Sequence, residues 1–361
     1  MTDAPPSPIR RRMLGLLAAL PLAAQAARAQ AMWTALAAPP ADAATTPSAS
    51  ILIGGPEGGT LDRWGSVLGP ALARSLPPDT RLRRTAVGAS DGVTAANQFE
   101  ARTPPDGQTL LLAPRDSALA WLVGDPRAQY DVGQWVPVLA AICSGLVLVR
   151  PGSSASGQRV RLASSGPSGI DLPAVLGIEI LDVWVDLVPA IPHDALPAAF
   201  AEGTVDALFL HGHKVEDQLR AATAVGARPL FAFGTPDPSG ALVRPPPYPA
   251  VPTLAELFAS RRGQPPAGPL YDGWCAAAIA AQLEFALVLP QLTPAAMVAL
   301  WRRAATEAAS TLDVQAFALD NGLRTMSGGD AAAALTIVAT DRNALQAVRS
   351  WLADRFNWRP A

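Results

Sequence analysis

The sequence "ILIGGPEGGTLDRW", residues 51–64, places an apolar run directly before four glycines, a proline and a glutamate. The run predicts a buried strand and the residues from Leu61 onward predict a helix, so the glycines lie in a strand-to-helix turn. Glycine lets a backbone approach a ligand closely, and the first amides of a helix favour an anion. The turn therefore predicts an anion-binding site, whose candidate residues are Gly58, Gly59, Thr60 and Asp62.

A second turn of the same kind strengthens this interpretation. Alone, the first turn also fits a simple tight connection, and it matches neither the G-x-G-x-x-G nor the GK[ST] phosphate fingerprint. The stretch "RLASSGPSGIDLPAV", residues 161–175, again predicts a strand, a Ser/Gly turn and a helix. Two such turns that face each other across a cleft would hold a carboxylate without catalytic groups. The second set of candidate ligand-binding residues is Ser164, Ser165, Gly166 and Ser168.

The composition excludes several classes of function. Half of the 361 residues are apolar and 16% are charged, which is typical of a globular protein of about two domains. The net charge is −2 and Lys214 is the only lysine, so no basic stripe is present for nucleic acid. His211 and His213 lack a third ligand for a metal, and no G-x-S-x-G elbow occurs. The sequence predicts no metal, no cofactor and no enzyme activity.

The amino terminus predicts export. Three arginines at 10–12 precede an apolar segment at 13–24 that is too short to span a bilayer as a mature helix. Small residues then allow cleavage after Ala29 or Ala31, by a Sec or a twin-arginine route. We therefore expect an export signal over residues 1–31 and a flexible linker over 32–49, with the mature protein in the periplasm.

Short apolar runs alternate with helical segments after residue 50. Nine runs predict strands, at residues 50–55, 83–87, 109–114, 136–142, 145–151, 159–166, 184–190, 205–212 and 228–234. Helices are predicted at 61–74, 94–102, 172–180 and 195–201, followed by a helical tail over 294–351 with a turn at 320–330. This alternation predicts parallel sheets covered on both faces, which bind ligands beyond the carboxyl ends of their strands.

Three motifs carry a resemblance to a known family. They are "PEGGTLD" (56–62), "GASDGVTAANQFEARTPPDGQTLLLAP" (88–114) and "YPAVPTLAEL" (248–257). The most specific element is Pro-Asp-Gly at 105–107, which follows a helix and precedes an apolar strand. With these motifs the chain resembles the Bug-type receptors, the periplasmic solute-binding components of tripartite tricarboxylate transporters, over nearly all of residues 50–350.

The resemblance implies an α/β, two-lobed type II periplasmic-binding-protein fold with a ligand cleft at the hinge. Lobe 1 would comprise residues 50–145 with 270–361, and lobe 2 residues 146–269. Family ligands are small carboxylates, held by amides, hydroxyls and waters of the two turns, and His211 is a further candidate contact. The resemblance also implies a monomer that passes its ligand to membrane transporter subunits.

Because the sequence departs from the family pattern, the identity of the ligand does not follow from the resemblance, and two rival hypotheses of function stay open. Residues 54–55 are Gly-Gly where the family usually has Pro-Phe, Glu57 replaces a neutral residue, and Tyr-Lys-Gly is lost at 190–192. A degenerate receptor that contacts a membrane or sensor protein would fit these losses. A hydrolase on an α/β scaffold would need a nucleophile–histidine pair that the sequence does not show. Residues 273–294 also exceed the family's crossing strand and predict an extra helical turn at the hinge.

The two cysteines, Cys143 and Cys275, fall on the two segments that cross between the lobes in this layout. Export would permit a disulfide between them, which would restrict lobe motion. Two separately buried thiols are the alternative.

Overall fold

The computed structural model describes residues 48–189, 191–212, 214–237 and 239–358. The expected export signal lies outside these residues, as do most of the expected linker and residue 190 of the lost family motif. The first strand already begins at Ser48, so the last two residues assigned to the linker belong to the fold.

Six strands form the first sheet. They are β1 (Ser48–Gly54), β2 (Arg81–Val87), β3 (Thr109–Pro114), β4 (Trp135–Ile142), β12 (Leu283–Pro290) and β13 (Arg324–Ser327). Their order is β13-β4-β12-β3-β1-β2. Strand β1 runs parallel to β2 and β3, whereas β12 is antiparallel to β3 and β4, and β13 is antiparallel to β4. The expectation of wholly parallel sheets is therefore wrong, because β12 and β13 run against the other four strands of this sheet.

The second sheet has five strands. They are β5 (Leu146–Val149), β6 (Arg159–Ala163), β7 (Trp184–Val188), β8 (Ala207–Leu210) and β9 (Arg228–Ala232), in the order β7-β6-β8-β5-β9. Strand β5 is antiparallel to both of its neighbours, and β6 is parallel to both of its own. A ribbon of β10 (Thr235–Pro236) and β11 (Leu242–Val243) follows. The nine predicted strands are all present, whereas β10, β11 and β13 were not predicted. Strand β12 takes only the second part of segment 273–294, where the family resemblance implied a crossing strand with an extra helical turn, and the first part is helix.

Helices cover the sheets. They are α1 (Thr60–Ala73), α2 (Val93–Arg102), α3 (Arg115–Val123), α4 (Leu172–Ile180), α5 (Leu196–Ala201), α6 (Val215–Ala224), α7 (Leu254–Arg262), α8 (Pro269–Gln282), α9 (Ala295–Ala309), α10 (Leu312–Asp320), α11 (Gly328–Val338) and α12 (Arg342–Phe356). The predicted helical tail is α9 to α12, but β13 occupies the segment predicted as a turn. Searching the described part of the chain finds no helix with the length and apolar character that a membrane crossing requires.

Helix α8 joins the two sheets through a shared core. Five alanines between 276 and 281 are at most 1% exposed, so neighbouring helices approach its backbone closely. The helix packs on α4 beside the second sheet and on α3, α11 and α12 beside the first. In its second turn, Trp274 is fully buried and donates its indole N–H to the carbonyl of Pro173, at 2.8 Å. One apolar cluster consequently runs from the first lobe into the second.

Helix α8 also explains why the two cysteines stay apart. Both are free thiols: Cys143 lies against the Gln282 carbonyl at the end of α8, whereas Cys275 lies in its second turn. Cys275 and Gln282 are seven residues apart, about 10 Å along the helix axis, so the two thiols lie at different levels of α8 and are not bonded. The hypothesis of a Cys143–Cys275 disulfide is therefore wrong.

Candidate functional site

The pairing of neighbouring strands shows which strand ends lie side by side at the junction between the lobes. In the first sheet, Pro114 at the end of β3 lies opposite Phe285, and Ile142 at the end of β4 lies opposite Leu283. In the second sheet, Leu146 at the start of β5 lies opposite the last residues of both β8 and β9. The first turn, the crossing segment 143–145 and the start of β12 therefore lie along one edge of the first sheet.

The first turn is a tight strand-to-helix connection stabilised from within. Gly58 has φ of 72°, which residues with a Cβ rarely adopt. Its amide donates to the Asp62 carboxylate at 2.9 Å, and Gly59 is the N-cap of α1. A Cβ on Gly54 would lie 2.7 Å from Cδ of Pro114, so the family's larger residue does not fit here without a shift. Glu57 is exposed and faces solvent.

A cavity of about 330 Å³ opens beside this turn. The first amides of an α-helix have no partner within the helix, and α1 begins in the wall of the cavity. The lining residues come from the first turn, the loop after β2, the start of α3 and β12, namely Gly54, Gly55, Pro56, Gly59, Thr60, Leu61, Ser90, Pro114, Arg115, Asp116 and Glu284. This cavity combines a helix N-terminus with a guanidinium, which is the chemistry that binds a carboxylate.

Charged side chains of both signs line the far wall of this cavity. Arg115 forms an ion pair with Glu284, and both side chains are only 16% exposed. Asp116 follows Arg115 in sequence. Much of this residue is exposed to solvent, and it also lines the cavity. Desolvation raises the pKa of Asp116, nearby Arg115 opposes the rise, and the charges of Asp91 and Glu284 add to it. A ligand at this end of the cavity would therefore contact one guanidinium and two carboxyl groups.

The second turn is closed on itself by an aspartate that the sequence interpretation missed. Asp171 is 7% exposed, and its Oδ2 accepts the Ser164 hydroxyl at 3.0 Å. The same oxygen accepts the Ser165 amide at 2.8 Å and the Ser165 hydroxyl at 2.9 Å. The Ser164 hydroxyl oxygen also accepts the Gly166 amide at 3.1 Å. Two of the candidate hydroxyls are thus bound to a carboxylate of the chain itself.

Comparison with known proteins gives structural likeness only. No family model and no curated protein matches the sequence. A TctC solute binding protein from Polaromonas superposes with a TM-score of 0.57 at 15% identity, over 82% of this chain and 99% of that one. The chain has a TctC-type fold. BugD has a TM-score of 0.48 at 15% identity over 84% and 96%, and an R. palustris structure with adipate has 0.48 at 16% over 85% and 98%.

The TctC-type fold confirms the two-lobed α/β architecture that the resemblance implied. Within it, Gly59 and Thr60 line the cavity beside the first turn, and Gly58 lies next to them. Asp62 does not line this cavity. Its carboxylate instead accepts the Gly58 amide and lies 3.9 Å from the Arg84 guanidinium. The sequence interpretation missed Arg115, Asp116 and Glu284, which are remote from the turn in sequence.

The remaining candidate residues lie on the second lobe of the TctC-type fold. Residues of the second turn do not line the cavity beside the first turn, and neither does His211. Ser168 is half-buried in the loop before α4. His211 stacks on Phe209, with ring centroids 4.9 Å apart. Among the described residues no group of three or more His, Cys, Asp or Glu side chains is placed to hold a metal ion.

Proposed function

We propose that this chain is an exported solute-binding receptor that captures a small organic carboxylate at the junction of its lobes. The observation that carries the proposal is the cavity of about 330 Å³ at the N-terminus of α1, with Arg115 in its wall. The TctC-type fold supports a receptor rather than an enzyme, since the Polaromonas protein is described as a solute binding protein. The proposal includes a periplasmic monomer that delivers its ligand to the membrane subunits of an uptake system.

In this proposal the ligand carboxylate lies at the amides of Thr60 and Leu61. Ser90 lines the same cavity and offers a hydroxyl. Arg115 contributes positive charge, but its pairing with Glu284 weakens its pull on a second anion. Asp116 at the far wall favours a ligand that presents a hydroxyl or amino group there. From the second turn, Ser168 is the member whose hydroxyl is left for a ligand or for a bridging water, since the Gly166 amide donates to the Ser164 hydroxyl oxygen.

The test is thermal unfolding of the purified protein against a panel of dicarboxylates, hydroxy acids, amino acids and aromatic acids. A ligand at about 100 times its dissociation constant adds about 2.7 kcal/mol to the free energy of unfolding. For a chain of this length we expect the midpoint to rise by about 5 °C. A panel in which no compound raises the midpoint would refute the proposal.

A degenerate receptor is the second candidate, and one observation favours it. Chain carboxylates already occupy donors in both turns, since Asp62 holds the Gly58 amide and Asp171 holds three donors of Ser164 and Ser165. In such a protein the turns would be structural, and the molecule would instead contact a membrane or sensor protein. The same panel separates the two candidates, because a degenerate receptor gives no shift with any compound.

A further inference from the structure

A second cavity of about 400 Å³ is lined in part by Cys143 and Ser144 of the crossing segment and by no residue of the first turn. On the first lobe its walls are the end of β4, the end of α10 and the start of β13. On the second lobe they are the residues after β8, the start of α6 and the proline-rich segment 245–249, defined here as the proline wall. Because both lobes line it, anything bound there contacts both.

The proline wall is held rigidly before any ligand arrives. The amide of Tyr248 donates to the carbonyl of Pro245 at 2.9 Å, which closes a turn inside the wall. Arg244 donates to the carbonyl of Pro249 at 3.0 Å and pairs with Glu256 at 2.9 Å. Proline also fixes φ at each of its positions in the segment. A preorganised wall loses little conformational entropy on binding, which favours affinity.

The cavity exposes apolar surface that nothing in the described chain covers. Leu319 lies at its rim and is 78% exposed, which is unusual for a leucine in a concave site. Leu323 lies beside it, and Val215 and the Tyr248 ring face the cavity from the second lobe. Partial burial raises the pKa of Tyr248, and the neighbouring charge of Glu216 adds to the rise. The phenol therefore stays neutral and acts as an apolar wall with one hydroxyl.

Charges of opposite sign stand on the two sides of this apolar surface. Arg324, at the start of β13, is exposed, and its guanidinium has no ion pair or hydrogen bond to any described residue. Glu216, at the start of α6, also forms no ion pair within the described chain. An unpaired guanidinium beside a hydrophobic surface attracts one carboxylate. A second carboxylate on the same ligand would meet Glu216 and be repelled.

We propose that this interlobe cavity is a second small-molecule site, which takes a monocarboxylate with an aromatic or branched apolar body. The carboxylate pairs with Arg324, and the apolar body lies against Leu319, Leu323 and Tyr248. A volume of about 400 Å³ is within the range of small-molecule pockets. This site shares no lining residue with the cavity beside the first turn, which suits dicarboxylates and hydroxy acids. It goes beyond the proposed function, because it does not use the amides of α1.

The experiment is a ¹⁹F NMR titration of 4-fluorophenylacetate with the purified protein and matched variants. Leu319→Ser is compared with Leu312→Ser, since both leucines are exposed on α10 but only Leu319 lines the cavity. Arg324→Gln is compared with Arg303→Gln, an exposed arginine of α9. We expect saturable binding that weakens at least tenfold in Leu319→Ser and Arg324→Gln and less than twofold in the two controls.

Three results would overturn the proposal. They are the absence of saturable binding, equal weakening in the cavity variants and their controls, and tenfold weakening by Thr60→Pro, which removes an amide at the first turn. The last result would place the probe in the first-turn cavity instead. If Thr60→Pro leaves binding of 4-fluorophenylacetate unchanged while the dicarboxylates, hydroxy acids and amino acids of the panel give no shift, the second site stands and the proposed function fails. The two proposals are thus distinguishable.

Discussion

Replacing Thr60 with proline removes one hydrogen-bond donor of the first-turn cavity and leaves the fold intact. Thr60 is the first residue of α1, the position at which proline is best tolerated in a helix because its missing N–H has no partner there. The preceding residue, Gly59, has φ of −70° and ψ of 178°, an extended conformation that a following proline accepts. The variant therefore tests the backbone amide directly.

The magnitude follows from the kind of hydrogen bond that is lost. A hydrogen bond from an amide to a charged carboxylate contributes about 1.5–3 kcal/mol, so its loss weakens binding by about 10- to 150-fold. The hydroxyl of Thr60 makes only an exposed contact, accepting from Arg63 Nη2 at 3.3 Å. Thr60→Ala keeps the amide and loses that contact, so we expect it to change binding by less than about threefold.

The assay is isothermal titration calorimetry with the panel compound that gives the largest thermal shift. Urea unfolding of each variant without ligand serves as the control for stability, which we expect to stay within about 0.5 kcal/mol of the parent protein. Equal affinities of Thr60→Pro and the parent protein would refute the role of the amide. Equal losses in Thr60→Pro and Thr60→Ala would assign the effect to the hydroxyl instead.

Three further predictions concern α8, the charged wall and the thiols. Trp274→Phe removes the N–H that binds the Pro173 carbonyl and should lower the free energy of unfolding in urea by about 1–3 kcal/mol. Because desolvation at the cavity wall raises the pKa of Asp116 in the folded state above its ordinary value of 3.8, its stabilising contribution is present below that value and is lost as the pH rises through the raised pKa. Asp116→Asn should therefore gain stability over the parent protein as the pH rises above about 4, and a difference that does not change with pH would contradict this. Burial raises the pKa of Cys275 to about 12 and also raises that of Cys143, so mass spectrometry should find both thiols alkylated by iodoacetamide only after unfolding.

The part of the fold that could be predicted is the part whose sequence pattern is local. The apolar run before the glycines predicts β1, its turn and α1, because a strand and a helix differ there in period and the glycines separate them. Strand β12 could not be predicted in the same way. The stretch "CAAAIAAQLEFALVLP" is apolar except for Gln282 and Glu284, so α8 and β12 share one run without a periodic boundary. Strand β13 is only four residues long and mostly polar.

In the candidate site, too, the features with a local sequence pattern could be predicted, and the contacts between distant residues could not. The glycine-rich first turn was recognisable because its residue types restrict the backbone locally. The role of Asp171 was not recognisable, since a sequence cannot tell whether Ser164 and Ser165 bind a ligand or a carboxylate six or seven residues away. The ion pair of Arg115 with Glu284 joins residues that are 169 positions apart. Only the antiparallel pairing of β3 with β12 brings these two side chains to one cavity.

The most direct test of the proposed receptor function is a crystal structure of the protein with the panel carboxylate that binds most tightly. We predict a carboxylate oxygen within about 3 Å of the amide nitrogens of Thr60 and Leu61, with the rest of the ligand directed toward Asp116. A ligand bound elsewhere, with solvent alone at the start of α1, would contradict the assignment of the first turn as a carboxylate site.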